Sequence, residues 1–185
     1  YRGLVARFNY LGQDRSDIQY AVKTLGSAMA NPTNEDMGKV KRCIRYLLGV
    51  PRCIVPFRYQ KKTDTILAWS DSDFAGCTKS RKSTSGGVIL FGGCIIKSYS
   101  STQAVRALSS GEAEYYALVK AACGSMGIRA LLGDLGVDCI EIVINTDASA
   151  AMGVAQRLGI GKIRHIEVNQ LWLQEKVYSG EIRLV

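Results

Sequence analysis

Apolar and polar positions repeat with two different periods along this chain, dividing it into a helical first quarter and a mixed remainder. Residues 1–50 read as helices. Between Tyr20 and Met29 the apolar residues fall at positions 21, 22, 25, 28 and 29, the stripe of an amphipathic helix. Asn31-Pro32-Thr33-Asn34-Glu35-Asp36 reads as a turn into a further helix, with Thr33 or Asn34 as N-cap and acids in the first turn. That helix carries Val40, Cys43, Ile44, Tyr46, Leu47 and Leu48 as its apolar residues and stops at Gly49, just before Pro51. Residues 53–59 have the composition of a strand, and Pro56 assigns it to a sheet edge. The polar break at 60–64 is the candidate domain boundary.

Beyond the break the period shortens. Three strands are predicted in quick succession, at 66–70, 87–91 and 94–99, with Gly92-Gly93 as a two-residue hairpin turn. The connection over 77–85 is polar and basic. A helix of about 25 residues follows from Ser109 or Ser110 to Leu135, ended by Gly136; Ser109-Ser110-Gly111-Glu112 is close to a capping box. The apolar run within 138–145 suits a central strand covered by helices. A short helix over 148–156, a loop over 157–162, a helix from about 166 to 177 and a strand from Glu181 to Val185 complete the series. The pattern is α/β, built on a mixed sheet.

Composition adds bounds rather than identity. The chain has 185 residues, 47% hydrophobic and 22% charged, ordinary for a protein that buries a substantial core. No run of eighteen apolar residues predicts a membrane span. The opening Tyr1-Arg2-Gly3, with neither Met nor a signal-peptide pattern, suggests an excerpt from a longer chain. Six cysteines stand singly, without a C-x-x-C pair, and His165 is the one histidine, which argues against zinc and for reduced thiols in an intracellular protein. The net charge is +8, unevenly spread: residues 1–60 hold 10 Lys/Arg against 4 Asp/Glu. A basic first part beside a nearly balanced, acid-bearing part fits a protein that grips a polyanion with one region and does metal chemistry with another, although a basic solvated surface has the same signature.

The acid-bearing part holds the candidate chemistry. Asp71 and Asp73 close the first strand of the mixed region, and they share a face if the strand continues through both. Glu114 lies in the first turns of the long helix, on the face of Leu118 and Ala121, so it points toward the sheet. Glu112 better fits the part of an exposed acid stabilising the helix N-terminus. Asp147 ends the strand after that helix, and if its strand and that of Asp71 are parallel neighbours their C-terminal ends coincide. Carboxylates without His or Cys ligands call for a hard cation, Mg²⁺ or Mn²⁺, and two such ions can drive phosphodiester cleavage. Lys79, Arg81 and Lys82 beside the acids, and the basic helix over 36–48, are candidate phosphate contacts. On helix geometry alone, solvation accounts for the helix charges equally well.

Five motifs in register are similar to the ribonuclease H domain of copia-type retrotransposon polyproteins: Asp71-Ser72-Asp73-Phe74-Ala75-Gly76, Arg81-Lys82-Ser83-Thr84-Ser85-Gly86-Gly87, Ser109-Ser110-Gly111-Glu112-Ala113-Glu114-Tyr115, Thr146-Asp147 with Ser149 and Ala150, and Lys162-Ile163-Arg164-His165-Ile166-Glu167. Tyr1-Arg2-Gly3-Leu4, Arg15-Ser16-Asp17-Ile18, Asn31-Pro32-Thr33 and Arg45-Tyr46-Leu47-Leu48-Gly49 resemble the segment joining reverse transcriptase to that domain. The resemblance implies a ribonuclease H-like mixed sheet flanked by helices over residues 62–185, truncated at its C-terminus, preceded by a small, mostly helical reverse transcriptase C-terminal segment over 1–61. It implies cleavage of the RNA strand of an RNA–DNA hybrid during reverse transcription. Asp71, Glu114 and Asp147 fall on the family's catalytic metal ligands, with Asp73 and Glu112 as supporting or structural acids.

The partners so implied are the hybrid and the reverse transcriptase domain of the same polyprotein, with no membrane and no small-molecule cofactor. The setting is the cytoplasm, within a virus-like particle, or a nuclear stage. His165 is expected to position substrate or bind its backbone rather than act as general base. The family's fourth carboxylate lies in a helix past the strand at 181–185, where this chain stops. Glu167 and Glu175 are the candidates to replace it. A complete site would take two ions; a three-acid site leaves open a catalytically incomplete nucleic-acid-binding remnant of the same fold. A transposase or integrase-type nuclease shares the acids, and the Glu-Ala-Glu-Tyr motif argues against it.

Overall fold

The computed structural model describes residues 1–138, 140–159, 161, 166 and 170–185. It divides into two compact units, Tyr1–Pro56 with Tyr99–Ser101, and Phe57–Ser98 with Thr102–Val185.

The first unit is helical. Helices α1 (Arg2–Leu11), α2 (Gln19–Gly26) and α3 (Asn34–Gly49) bury Val5, Phe8, Ile18, Val22, Leu25, Val40 and Cys43 together. Each fully buried aliphatic side chain here contributes about 1.5–3 kcal/mol. The stripe expected to run to Met29 leaves the helix at Gly26, where Ser27 Oγ donates to the Thr24 carbonyl and offers the backbone a local alternative. Of the two candidate caps of α3 it is Thr33 that acts: its hydroxyl accepts from Asp36 N–H while the Asp36 carboxylate accepts from Thr33 N–H, a reciprocal box. The Arg15-Ser16-Asp17 motif is a tether. Arg15, 7% exposed, pairs with Asp17 at 2.7 Å and donates to the Val50 carbonyl beyond the end of α3, while Tyr46 OH donates to Asp17. The Arg15 hydrogen bond holds the Asp17 carboxyl down at about 2.

Residues 53–59 form no strand. Pro56 removes a backbone donor, and among the described residues no strand partners the segment; Ile54 and Phe57 stand 84% and 66% exposed. Gln60 ends this segment on a hairpin, accepting from Gly93 N–H and donating to the Phe91 carbonyl.

A five-stranded mixed sheet, all but Tyr99–Ser101 of it in the second unit, has the order β3-β2-β1-β4-β5, with β1 Thr65–Ser72, β2 Thr84–Phe91, β3 Cys94–Thr102, β4 Glu141–Asn145 and β5 Ile182–Leu184. β1 is antiparallel to β2 and parallel to β4, and β4 is parallel to β5. The expected turn at Gly92-Gly93 joins β2 to β3, Gly92 taking the left-handed φ of +61° that a tight hairpin needs. Helix α4 (Ser110–Asp134) presses Tyr115, Leu118, Ala121 and Ala122 onto Ile66, Ala68, Ile89, Ile142 and Ile144, every one of them fully buried. Helices α5 (Ser149–Ala155) and α6 (Trp172–Tyr178) add Ala151, Val154, Ala155 and Leu173 to the same core. The helix expected from about 166 is shorter: α6 begins at Trp172, and residues 167–169 lie outside the described residues. The expected ribonuclease H-like mixed sheet flanked by helices, with a small helical segment before it in the chain, is the architecture that forms. Among the described residues no helix is long and apolar enough to cross a membrane.

Candidate metal centre

Parallel pairing of β1 and β4 puts Trp69 opposite Asn145. Asp71 and Asp147 each lie two residues further on, so the two acids leave neighbouring strands at the same end and in the same phase. Glu114 comes from the second turn of α4, which runs against both strands. The three acids converge: one carboxylate oxygen from each of Asp71, Glu114 and Asp147 lies within 4.8 Å of the others, a group that could hold a metal ion. Asp71 and Asp147 are exposed and Glu114 is half-buried.

The electrostatics of the three are lopsided. Glu114 Oε1 accepts from Ser72 N–H at 3.2 Å, while Oε2 is buried without any partner. Burial first, then the negative charges of Asp71 and Asp147, push the Glu114 carboxyl up to about 7, against the pull of the Ser72 N–H. An orphaned, buried carboxylate oxygen beside two exposed acids, with no soft or imidazole ligand among the described residues, suits a hard divalent cation. The donor set therefore fits Mg²⁺ or Mn²⁺. An open groove of about 650 Å³ lies along this end of the sheet, lined by Trp69, Asp71, Gly86, Val88, Asn145 and Asp147 among others.

The neighbours of these acids turn elsewhere. Asp73 does not continue the face of Asp71: β1 ends at Ser72, and the Asp73 carboxylate turns to accept from Thr84 N–H, while Asp73 N–H donates to the Thr84 carbonyl. A Cβ at Gly76 would sit 2.3 Å from Asp73 Oδ2, so glycine alone gives that carboxylate its room. Glu112 is not an exposed helix-end acid but 2% exposed, accepting from Leu108 N–H and Tyr116 OH. The cap of α4 is Ser109, whose hydroxyl accepts from Glu112 N–H. Burial with two donors makes Glu112 a structural clamp on the helix start.

The basic candidates divide likewise. Lys79 and Arg81 are exposed on the loop after β1, Arg81 in the left-handed region at φ +56°. Lys82 is half-buried and donates to the Ala104 carbonyl, so it ties the loop down as well. On α3, Lys39 pairs with Glu35 and Asp36, whereas Lys41, Arg42 and Arg45 are exposed. His165 and Glu167 lie outside the described residues. Glu175, the other candidate fourth acid, is exposed on α6 and is not part of the carboxylate group.

A polar layer beside the acids escaped the sequence reading. β2 begins at Thr84 rather than Gly87, and Ser83, Thr84 and Ser85 are 0%, 5% and 2% exposed. Ser83 Oγ accepts from Ala75 N–H, and Gln103 Nε2, with two N–H groups to share, lies 3.2, 3.0 and 2.8 Å from Ser72 Oγ, Ser85 Oγ and the Ala113 carbonyl. The one signal for it was the run of three small hydroxyl residues meeting two glycines, which composition alone assigns to a loop.

No family model matches the chain. Over its whole length it is 32% identical to a retrovirus-related Pol polyprotein from transposon RE1 of Arabidopsis thaliana, and 31% identical to that from transposon RE2 of the same plant. The chain spans 13% of the length of each of these relatives. Among solved structures it is similar to a ribonuclease H1 isolated from compost, at a TM-score of 0.43 and 18% identity, over 66% of this chain and 84% of that one. Motifs and relatives agree: along its whole length the chain is similar to one segment of the retrovirus-related Pol polyproteins of transposons.

Proposed function

We propose that this chain is the ribonuclease H part of a copia-type Pol polyprotein, cleaving the RNA strand of RNA–DNA hybrids during reverse transcription. Residues 1–61 are then the C-terminal segment of the reverse transcriptase that precedes it. The observation that carries the reading is the convergence of Asp71, Glu114 and Asp147, with the Glu114 Oε2 buried and unpartnered. These three residues would hold the divalent cations. When bound, Mg²⁺ or Mn²⁺ supplies an activated water and charge neutralisation at the leaving oxygen. The chain's own part is to crowd three carboxylates at one end of the sheet, beside an open groove of about 650 Å³. Lys79 and Arg81, exposed on the loop after Asp71, suit phosphate contacts that are salt-sensitive and indifferent to sequence. Selectivity for the RNA strand requires contact with its 2′-hydroxyls.

The test is cleavage of a labelled RNA–DNA hybrid with Mg²⁺ or Mn²⁺, beside an Asp147→Asn variant. The expected result is cleavage by the parent and a loss of at least two orders of magnitude in the variant. Equal absence of cleavage in both sinks the nuclease reading, and equal activity in both sinks the assignment of Asp147. A second reading has one observation in its favour: among the described residues the cluster holds three acids and no fourth. A hybrid-binding remnant without catalysis would retain the hybrid in the same assay and leave it uncut.

A further inference from the structure

We infer that Gln103 is a positioning residue for the carboxylate centre, fixing the first turns of α4 against the end of β1 so that Glu114 faces Asp71. Gln103 is 7% exposed and sits at the crossing of three elements. Its own N–H donates to the Ser83 carbonyl at 2.8 Å, which fastens it beside the start of β2. Its Nε2 reaches the Ala113 carbonyl at 2.8 Å, one residue before Glu114. The same nitrogen reaches Ser85 Oγ at 3.0 Å and Ser72 Oγ at 3.2 Å, and Ser72 is the residue whose N–H donates to Glu114. One amide thus holds the residue after Asp71, the residue before Glu114 and the strand between them.

The orientation of that amide is forced. Ala113 offers a carbonyl that can only accept, so the nitrogen must face it; a flipped amide would set two oxygens against each other. Gln103 Oε1 is left buried without a partner. Stability alone does not account for such a residue, because the amide that satisfies the Ala113 carbonyl also buries an oxygen without a partner. What methionine, of similar length, cannot do is fix α4 in register with β1. Residues that orient metal ligands without touching the metal typically change affinity or activity by about 10–100-fold when lost.

The inference rests on the nuclease reading for its kinetic arm only; its metal-binding arm is independent of catalysis. Gln103→Met is compared with the parent and with Gln174→Met. Gln174 is a second buried amide, 3% exposed, donating to the Val154 and Gly159 carbonyls away from the acids. Thermal melting without metal, Mn²⁺ affinity by calorimetry, and hybrid cleavage are measured for each. Both variants are expected to melt lower. Gln103→Met alone is expected to lose at least about tenfold in Mn²⁺ affinity and in kcat, with KM for the hybrid within about twofold. Mn²⁺ affinity in Gln103→Met within twofold of the parent, as in Gln174→Met, overturns the inference. Should Gln103→Met fail to fold, Ser85→Ala removes one of its acceptors in a small, buried position, and unchanged Mn²⁺ affinity there overturns it equally. A parent that binds Mn²⁺ and does not cleave defeats the nuclease reading while leaving the affinity comparison decisive. A parent that binds no Mn²⁺ defeats both.

Discussion

Glu114→Gln offers a direct reading of the strain in the carboxylate centre. In the metal-free protein the Glu114 carboxyl is held up at about 7, against 4.5 for an ordinary glutamate, by burial and by the charges of Asp71 and Asp147. The folded state therefore keeps its proton over a pH range in which the unfolded chain has lost it. The contribution of this group to stability is greatest below about pH 4.5, falls as the pH rises from there to about 7, and is flat beyond. The full span of that shift corresponds to about 3 kcal/mol, and solvent screening of the partly exposed site reduces it to about 2.

Glutamine keeps the Ser72 hydrogen bond on its oxygen and carries no charge. The variant is thus expected to match the parent near pH 4 and to exceed it by about 2 kcal/mol at pH 8, or about 4–8 °C in melting temperature. Adding Mg²⁺ or Mn²⁺ at pH 8 reverses the order, because the cation satisfies the buried Oε2 of the parent and finds a poorer ligand in the variant. The assay is thermal melting from pH 4 to 8, with chelator and with metal. A parent whose metal-free stability tracks that of Glu114→Gln across the range would refute the electrostatic account. Equal stabilisation of both by metal would remove Glu114 from the ligand set.

The two acids of the Asp71-Ser72-Asp73 motif are expected to part company under mutation. Asp73→Ala removes the acceptor of Thr84 N–H and lowers stability by about 1–2 kcal/mol in chemical denaturation, with Mn²⁺ affinity unchanged, whereas Asp71→Asn loses metal affinity with no such cost. In the helical unit, Asp17 held at about 2 contributes stability that is complete above its ordinary 3.8 and is lost as the pH falls toward 2. Asp17→Asn is expected to flatten that acid limb and to lower stability at pH 7, read by denaturant titration at both ends; a variant with the parent's acid limb would count against the Arg15–Asp17 tether.

The acids were legible in the sequence because each sits at the end, or in the first turns, of a strongly periodic element. Alternation in β1, the apolar run of β4 and the cap at Ser109 locate Asp71, Asp147 and Glu114 to within a residue or two, and parallel pairing does the rest. What failed was everything decided by partners distant in the chain. Residues 53–59 have strand composition, yet composition cannot say that no strand among the described residues pairs with them. Ser83-Thr84-Ser85 has loop composition, yet those hydroxyls are buried because Gln103, eighteen residues past Ser85, comes back to meet one of them. Glu112 reads as a surface acid until Leu108 N–H and Tyr116 OH close over it.

That division has a physical logic. Three carboxylates within 4.8 Å of one another repel, and the Ser72 N–H on Glu114 offsets that only in part. The convergence must be enforced from behind, by groups that lose nothing when the cluster is uncharged or cation-bound. Neutral hydrogen bonds meet that condition and ion pairs do not, since a lysine in place of Gln103 would compete with the cation for the same acids. The ring from Asp73 through Thr84, and from Ser85 through Gln103 to Ala113, is built that way, with its one carboxylate spent on a backbone N–H. The cations Lys79 and Arg81 are exposed on the loop after β1, where the proposed polyanion would reach them while the acids take the proposed cation.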